Sequence, residues 1–270
     1  MITGCVVLYN NEKQVLEKAI QSFLNNTQNT FLYLIDNSPE DIIKSYISNL
    51  DRVHYIHNPS NPGFGAAHNI ALELATKMGA KYHFVINPDT YYNNDIVTPM
   101  VEYMEQNPQV GMMMPQILNP DGSIQYLPKL LPSPLTIIWR KMKFPKSLYN
   151  KFINNYELRF IADGVIHEAP VISGCFTLLR LKAIEEIGGY DDNFFMYFED
   201  WDLSRRMHEK YRTIYFPLVS VYHEYYSGAN KSCKLFKVYL NSAFYYFRKW
   251  GWFFDKERKE INSESLAQFK

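Results

Sequence analysis

The segment FFMYFEDWDLSRRM, residues 194–207, sets three carboxylates, Glu199, Asp200 and Asp202, within four positions and surrounds them with aromatic side chains. A carboxylate in apolar surroundings has a raised pKa and is a stronger base, provided that a nearby cation keeps it ionised. Arg205 and Arg206 are near enough in sequence to be that cation. The plainer reading is a helix start, because acids favour the first turn, where they meet the positive end of the dipole. One acid would need no more than that. Three acids behind FFMYF are harder to explain that way, and a general base stands as the alternative to the helix start.

Asp89 follows Asn87-Pro88 at the end of the apolar run YHFVI. A carboxylate beyond the end of a buried strand can hold a divalent cation, which in turn holds a diphosphate; the ordinary reading is an Asx-Pro turn. His223 closes the run IYFPLVSVYH, and a lone histidine is more often structural than a ligand. In Asn61-Pro62-Gly63-Phe64-Gly65-Ala66-Ala67-His68-Asn69, glycines would let backbone approach a ligand before a helix N-terminus that favours anions. No Gly-Lys-Ser/Thr follows, so this is not a P-loop.

Positioning these groups falls to alternating strands and helices. ITGCVVLY, FLYLID, VHYIHN and YHFVIN read as buried strands, and helical periodicity lies between them: Val15, Leu16, Ala19, Ile20, Phe23 and Leu24 form one apolar stripe. That order over about 90 residues predicts an α/β fold with a Rossmann-like, mostly parallel mixed sheet flanked by helices. Its polar strand ends, Tyr9-Asn10, Asp36-Asn37-Ser38 and Asn87-Pro88-Asp89, would lie where open α/β sheets bind ligands. We expect a nucleotide-binding half over 1–90 and an acceptor and catalytic half over 110–228. Within the latter, 126–168 shows no clear periodicity and reads as a variable insert. Residues 229–270 form an aromatic and basic extension. Its KLFKVYLNSAFYYFRKWGWFF has two readings: a terminal helix packed on the domain, or an amphipathic helix lying on a membrane surface.

The 28 basic and 28 acidic residues cancel, so no overall field recruits nucleic acid. Three widely separated cysteines exclude a disulfide framework and fit a reduced, cytoplasmic compartment. No signal peptide or membrane-spanning run is expected.

VVLYN, LIDNS, NPGFGAAHNIAL, INPDT, SGCFTLLR, GGYDDNFFMYFEDWDLSRR and VYH, in that order, resemble family-two glycosyltransferases of the GT-A fold, most nearly a rhamnosyltransferase-like branch. The resemblance covers roughly residues 2–228. It implies an inverting transfer of a sugar from a nucleotide-sugar donor, dTDP-L-rhamnose above UDP-sugars, to a glycan or polyprenyl-linked acceptor in surface polysaccharide synthesis, at or near the inner face of the cell membrane. It places Tyr9, Asn10, Asp36, Asn61, Gly63, Gly65, Asn69 and Asn87 near the donor nucleotide. Asp89 and His223 would hold Mg²⁺ or Mn²⁺. Asp200 would be the base, with Glu199 beside it; Gly174, Cys175, Trp201 and Asp202 would face the sugar or acceptor, and Arg206 the diphosphate. Asn87 stands where the family's D-x-D motif begins with an acid, leaving one carboxylate fewer for the metal. After His223, EYYSGA departs from the family's glycine-rich continuation. Two other readings make different demands on the sequence. A sugar-nucleotide nucleotidyltransferase would need a glycine-rich loop after the first strand, where LYNNEKQ stands. A non-catalytic sugar-nucleotide-binding module would need no base.

Overall fold

The computed structural model describes residues 1–25, 29–47, 50–224 and 232–269. Strands β1 (Ile2–Leu8), β2 (Thr30–Asp36), β3 (Val53–His57) and β4 (Tyr82–Ile86) alternate with helices α1 (Lys13–Asn25), α2 (Lys44–Ile47) and α3 (Phe64–Lys77). The chain continues through β5 (Thr90–Tyr91), α4 (Val97–Gln106), β6 (Val110–Leu118), α5 (Pro134–Met142), α6 (Lys146–Tyr156), β7 (His167–Glu168), β8 (Phe176–Arg180), α7 (Leu181–Ile187), α8 (Glu199–Met207), β9 (Arg212–His223), α9 (Cys233–Trp250) and α10 (Lys256–Ala267).

All these strands join one sheet in the order β3-β2-β1-β4-β8-β6-β9-β5, with β7 also on β9. β1 is parallel to β2 and β4, β2 to β3, and β6 to β9, whereas β8, β5 and β7 run against their neighbours. This is the expected mixed α/β sheet. Strands covered on both faces carry continuous apolar runs, and Cys5, Val6, Leu32, Leu34, Phe84 and Val85 are accordingly fully buried. The apolar stripe of α1 packs there through Leu16, Ile20 and Phe23.

The segment 126–168 holds more order than its aperiodic sequence suggested. A capping box of Ser133 and Thr136 with Pro134 at the first turn starts α5. Each helix spans only about three turns, too few for a clear period. The C-terminal extension is folded onto the rest. Ala243, Tyr246 and Phe247 of α9 form a second apolar cluster with Phe194 and Phe198. Arg205, 1% exposed, anchors the start of α10 through paired bonds to Asp255 (both 2.7 Å) and two to Glu257 (2.6 and 3.2 Å). The join between domain and extension at 228–229, and most of EYYSGA, lie outside the described residues.

Candidate active site

Topology brings the distant polar groups to one edge. Leu8 pairs with Asp36 in parallel register, so the ends of β1 and β2 are level. Because β8 is antiparallel to β4, Ile86 faces Phe176, and the residues after β4 meet those before β8. There the Asn87 amide donates to the Cys175 carbonyl at 2.8 Å. β5 then pairs Thr90 with His223, which sets the His223 Nε2 3.4 Å from Asp89 Oδ1. Asp200, in the first turn of α8, accepts from the Gly174 amide at 3.1 Å through Oδ2 and from the Trp201 amide at 2.9 Å through Oδ1. Asp89, His223, Gly174, Cys175 and Asp200 therefore adjoin across a single edge of the sheet.

Gln125, which the sequence reading passed over, orients the histidine. Its Nε2 donates to the His223 carbonyl (2.9 Å) and to Asn119 Oδ1 (2.8 Å), leaving Oε1 to face His223 Nδ1 at 3.0 Å. An amide oxygen only accepts, so Nδ1 carries a proton and Nε2 is the ring nitrogen turned toward Asp89. Asp89 Oδ1 is buried without a hydrogen-bond partner. A buried carboxylate oxygen without a hydrogen-bond partner, with an imidazole nitrogen turned toward it, is a donor pair that fits a divalent cation. Among the described residues no group of three or more His, Cys, Asp or Glu could hold a metal, so the protein would supply these two ligands and the remainder would come from elsewhere.

Tyr197 and Phe198, both at positive φ (72° and 68°), form the turn before α8. Such backbone is costly outside glycine. Here Phe198 is buried against Tyr246 and Phe247. The aromatic crowd thus anchors the carboxylates to α9, and Trp201, against Phe198 and Tyr246, is part of that anchor. Burial raises the pKa of Asp200, offset in part by the Gly174 amide and by Lys129. Glu199 is held well above the usual carboxylate range by burial and by the Asp200 charge, and its Oε2 has no partner. Of the two, Glu199 is pushed further toward the neutral form, and Asp200 is the member that its surroundings help to ionise.

The cation near Asp200 is not the one expected. Arg205 is committed to Asp255 and Glu257. Arg206 donates to Asp202 Oδ2 (2.8 Å) and to the carbonyls of Ile187, Gly188 and Gly189, where it caps the end of α7. Instead Lys129, buried and bonded to the Leu127 carbonyl at 3.1 Å, lies within electrostatic reach of Asp200 and Cys175. Burial pulls its pKa down to about 8. Cys175 is pushed up to about 12, chiefly by burial, with Asp89 and Asp200 adding to it.

Other expected site residues are occupied by protein. Asp202 is fully buried and accepts from Arg206, Trp250 and Lys249. Asp36, also fully buried, accepts from the Ser38 amide and the Tyr55 hydroxyl. The glycine loop approaches its own chain: a Cβ on Gly63 would collide with the Phe195 carbonyl oxygen, and one on Gly65 would meet Tyr190 at 2.8 Å. Asn69 bonds the Tyr190 amide and carbonyl and Asp192. These groups clamp the 189–195 loop. Tyr9 and Asn10 are exposed after β1, where the Asn10 amide donates to Ser38. Asn61 takes positive φ (44°) in the turn before Gly63.

Known proteins resemble this chain in sequence and fold. N-acetylglucosaminyl-diphospho-decaprenol L-rhamnosyltransferase of Mycobacterium tuberculosis is 26% identical over 199 residues, 70% of this chain and 62% of that protein. The chain thus spans under two thirds of that relative's length. Rhamnosyltransferase WbbL of Escherichia coli is 21% identical over 255 residues, 89% of this chain and 90% of that protein. Among solved structures, GalNAc-T7 with UDP, GalNAc and Mn²⁺ superposes with a TM-score of 0.63 at 16% identity, covering 84% of this chain and 43% of that one. Staphylococcus aureus TarS gives 0.56 at 11% identity, covering 83% and 36%. These likenesses show the GT-A fold. The glycosyl transferase family 2 model matches residues 5–188, well over half of the chain, and the chain belongs to that family.

Proposed function

We propose that the protein is an inverting glycosyltransferase that moves a sugar, L-rhamnose from dTDP-L-rhamnose above other donors, to a hydroxyl of a glycan or polyprenyl-linked acceptor in surface polysaccharide synthesis. The observation that carries the reading is the junction of Asp200, Gly174–Cys175, Asn87–Asp89 and His223 at one sheet edge. Rhamnosyltransferases among the relatives support the donor.

A neutral alcohol is a poor nucleophile. Asp200 takes the hydroxyl proton as the oxygen bonds to the anomeric carbon. The bond to the diphosphate breaks on the opposite face, its electron pair leaves with the diphosphate, and the configuration inverts. The Gly174 amide fixes the Asp200 carboxylate, and Lys129 favours its ionised form. Asp89 and His223 would hold Mg²⁺ or Mn²⁺, which when bound offsets charge on the leaving diphosphate.

The test is release of nucleoside diphosphate from dTDP-L-rhamnose and from UDP-sugars, with and without Mn²⁺. Release from the rhamnose donor is expected to fall about a hundredfold or more in Asp200→Asn, the usual scale of general-base catalysis. Unchanged turnover in that variant removes the assigned base. Faster release from a UDP-sugar replaces the donor.

A further inference from the structure

Beyond the site, α9 and α5 share an uncovered apolar surface. The inner face of α9 is used on Phe194 and Phe198. Its outer face exposes Phe236, Leu240 and Phe244, which recur every four residues along one side. Trp252 folds back against Phe244 at 5.4 Å and extends the row, and Phe253 and Phe254 follow, the latter 98% exposed. On α5, Leu135 (64% exposed), Ile138 and Met142 (64%) form a matching stripe, continued by Phe144 (70%) and Leu148. Lys141 Nζ lies 4.7 Å from the Phe236 ring and 5.4 Å from that of Tyr239, so the two rows are neighbours. Single exposed apolar residues are ordinary, but a contiguous row across two helices marks a docking surface.

Its charge names the partner. The chain as a whole is neutral, yet no Asp or Glu occurs between residues 122 and 156 or between 225 and 254. Those stretches instead expose Lys141, Lys143, Lys146, Lys234, Lys237 and Arg248 beside the apolar rows. Apolar rings flanked by long basic side chains, with no acid, suit the interface of an anionic bilayer, where rings enter the acyl boundary and the cations meet lipid phosphates. A second copy of the same face would set like charges against each other. We infer that the outer faces of α5 and α9, with residues 252–254, bind the surface of an anionic lipid bilayer. The inference rests on this surface and not on the transfer reaction. It has a consequence for the site: the Phe194–Phe198 segment that leads into Glu199-Asp200 packs on the inner side of α9, so the bilayer would lie about one helix diameter, ~10 Å, beyond it.

The experiment is sedimentation of the full chain with phosphatidylcholine vesicles, with and without phosphatidylglycerol. Binding is expected to the anionic vesicles and to weaken as salt rises. It should fall more than tenfold in Lys141→Glu/Lys143→Glu/Lys237→Glu and in Leu240→Ser/Phe244→Ser/Phe254→Ser. It should persist in the control Ile42→Ser/Leu218→Ser, which alters exposed apolar residues elsewhere. Far-UV circular dichroism and thermal midpoints establish that each variant is folded. Equal binding by folded α5 and α9 variants overturns the inference. So does the absence of vesicle binding together with a concentration-dependent dimer that the same substitutions dissolve, which would assign the face to a second copy. Diphosphate release with a water-soluble acceptor should be unchanged in these variants, separating docking from chemistry.

Discussion

At the residue scale, the site turns on which carboxyl is charged. Burial raises both Asp200 and Glu199, but the Gly174 amide and Lys129 favour ionisation of Asp200 alone. The acid limb of the rate profile should therefore lie above the ordinary carboxylate range. Glu199→Gln should leave that limb in place, since Glu199 is already neutral there. Lys129→Met should move it further up, because Asp200 loses its counter-charge. In the wild type the same loss occurs as pH rises through about 8, where Lys129 gives up its proton. A profile of kcat/KM against pH for the three proteins checks this. Stability runs the opposite way. A carboxyl with a raised folded-state pKa contributes most below its unfolded pKa, and that contribution is lost as pH rises through the folded value. Glu199→Gln should thus raise the thermal midpoint at pH 7 by about 2–4 °C, and by less at pH 4. An equal change at both values removes the assignment. Asp200, Asp89 and His223 were singled out by the family resemblance; their place at or after an apolar run alone fitted a helix start, an Asx-Pro turn and a structural histidine as well. Arg205 and Arg206 do not take the role given to them. At 100° per residue they stand about 140° and 120° round the helix from Asp200, on other faces.

At the element scale, α8 is held from both ends. Its first turn stands on a strained Tyr197–Phe198 turn that α9 covers, and its last turn ties to α10 and α7 through the two arginines. Arg205→Ala leaves Asp255 buried without its main partner, and breaking such a pair costs roughly 3–5 kcal/mol. Urea denaturation should show a loss on that scale, and a loss under about 1 kcal/mol would remove the anchoring role. Gly63→Ala meets both a φ of 110° and the Phe195 carbonyl. It should destabilise by about 1–3 kcal/mol in the same assay. The glycine pattern was visible in sequence, but the neighbouring chain it accommodates was not. A glycine reports that something comes close, and only the fold shows that the 190–195 loop is one such neighbour.

At the scale of the whole molecule, the candidate metal site joins residues from three separate stretches: Asp89 after β4, Gln125 after β6 and His223 at the end of β9. Groups that orient a metal-bound histidine commonly contribute tenfold to a hundredfold in affinity. Gln125→Ala should therefore raise the Mn²⁺ concentration for half-maximal diphosphate release by about tenfold or more, with a parallel weakening of Mn²⁺ binding followed by electron paramagnetic resonance. Unchanged values would mean that Gln125 only holds the strand end. The sequence by itself determined the alternation of strand and helix, the polar strand ends and the segments rich in acids or glycine. These follow from periodicity and from local backbone preference, which a short window contains. Tertiary structure alone decided that Asp89 meets His223, that Lys129 attends Asp200, that Asp202 and Arg206 bind each other, and that one side of α9 is covered while the other is bare. Contacts between residues far apart in the chain follow from strand order and packing, and no local pattern records them.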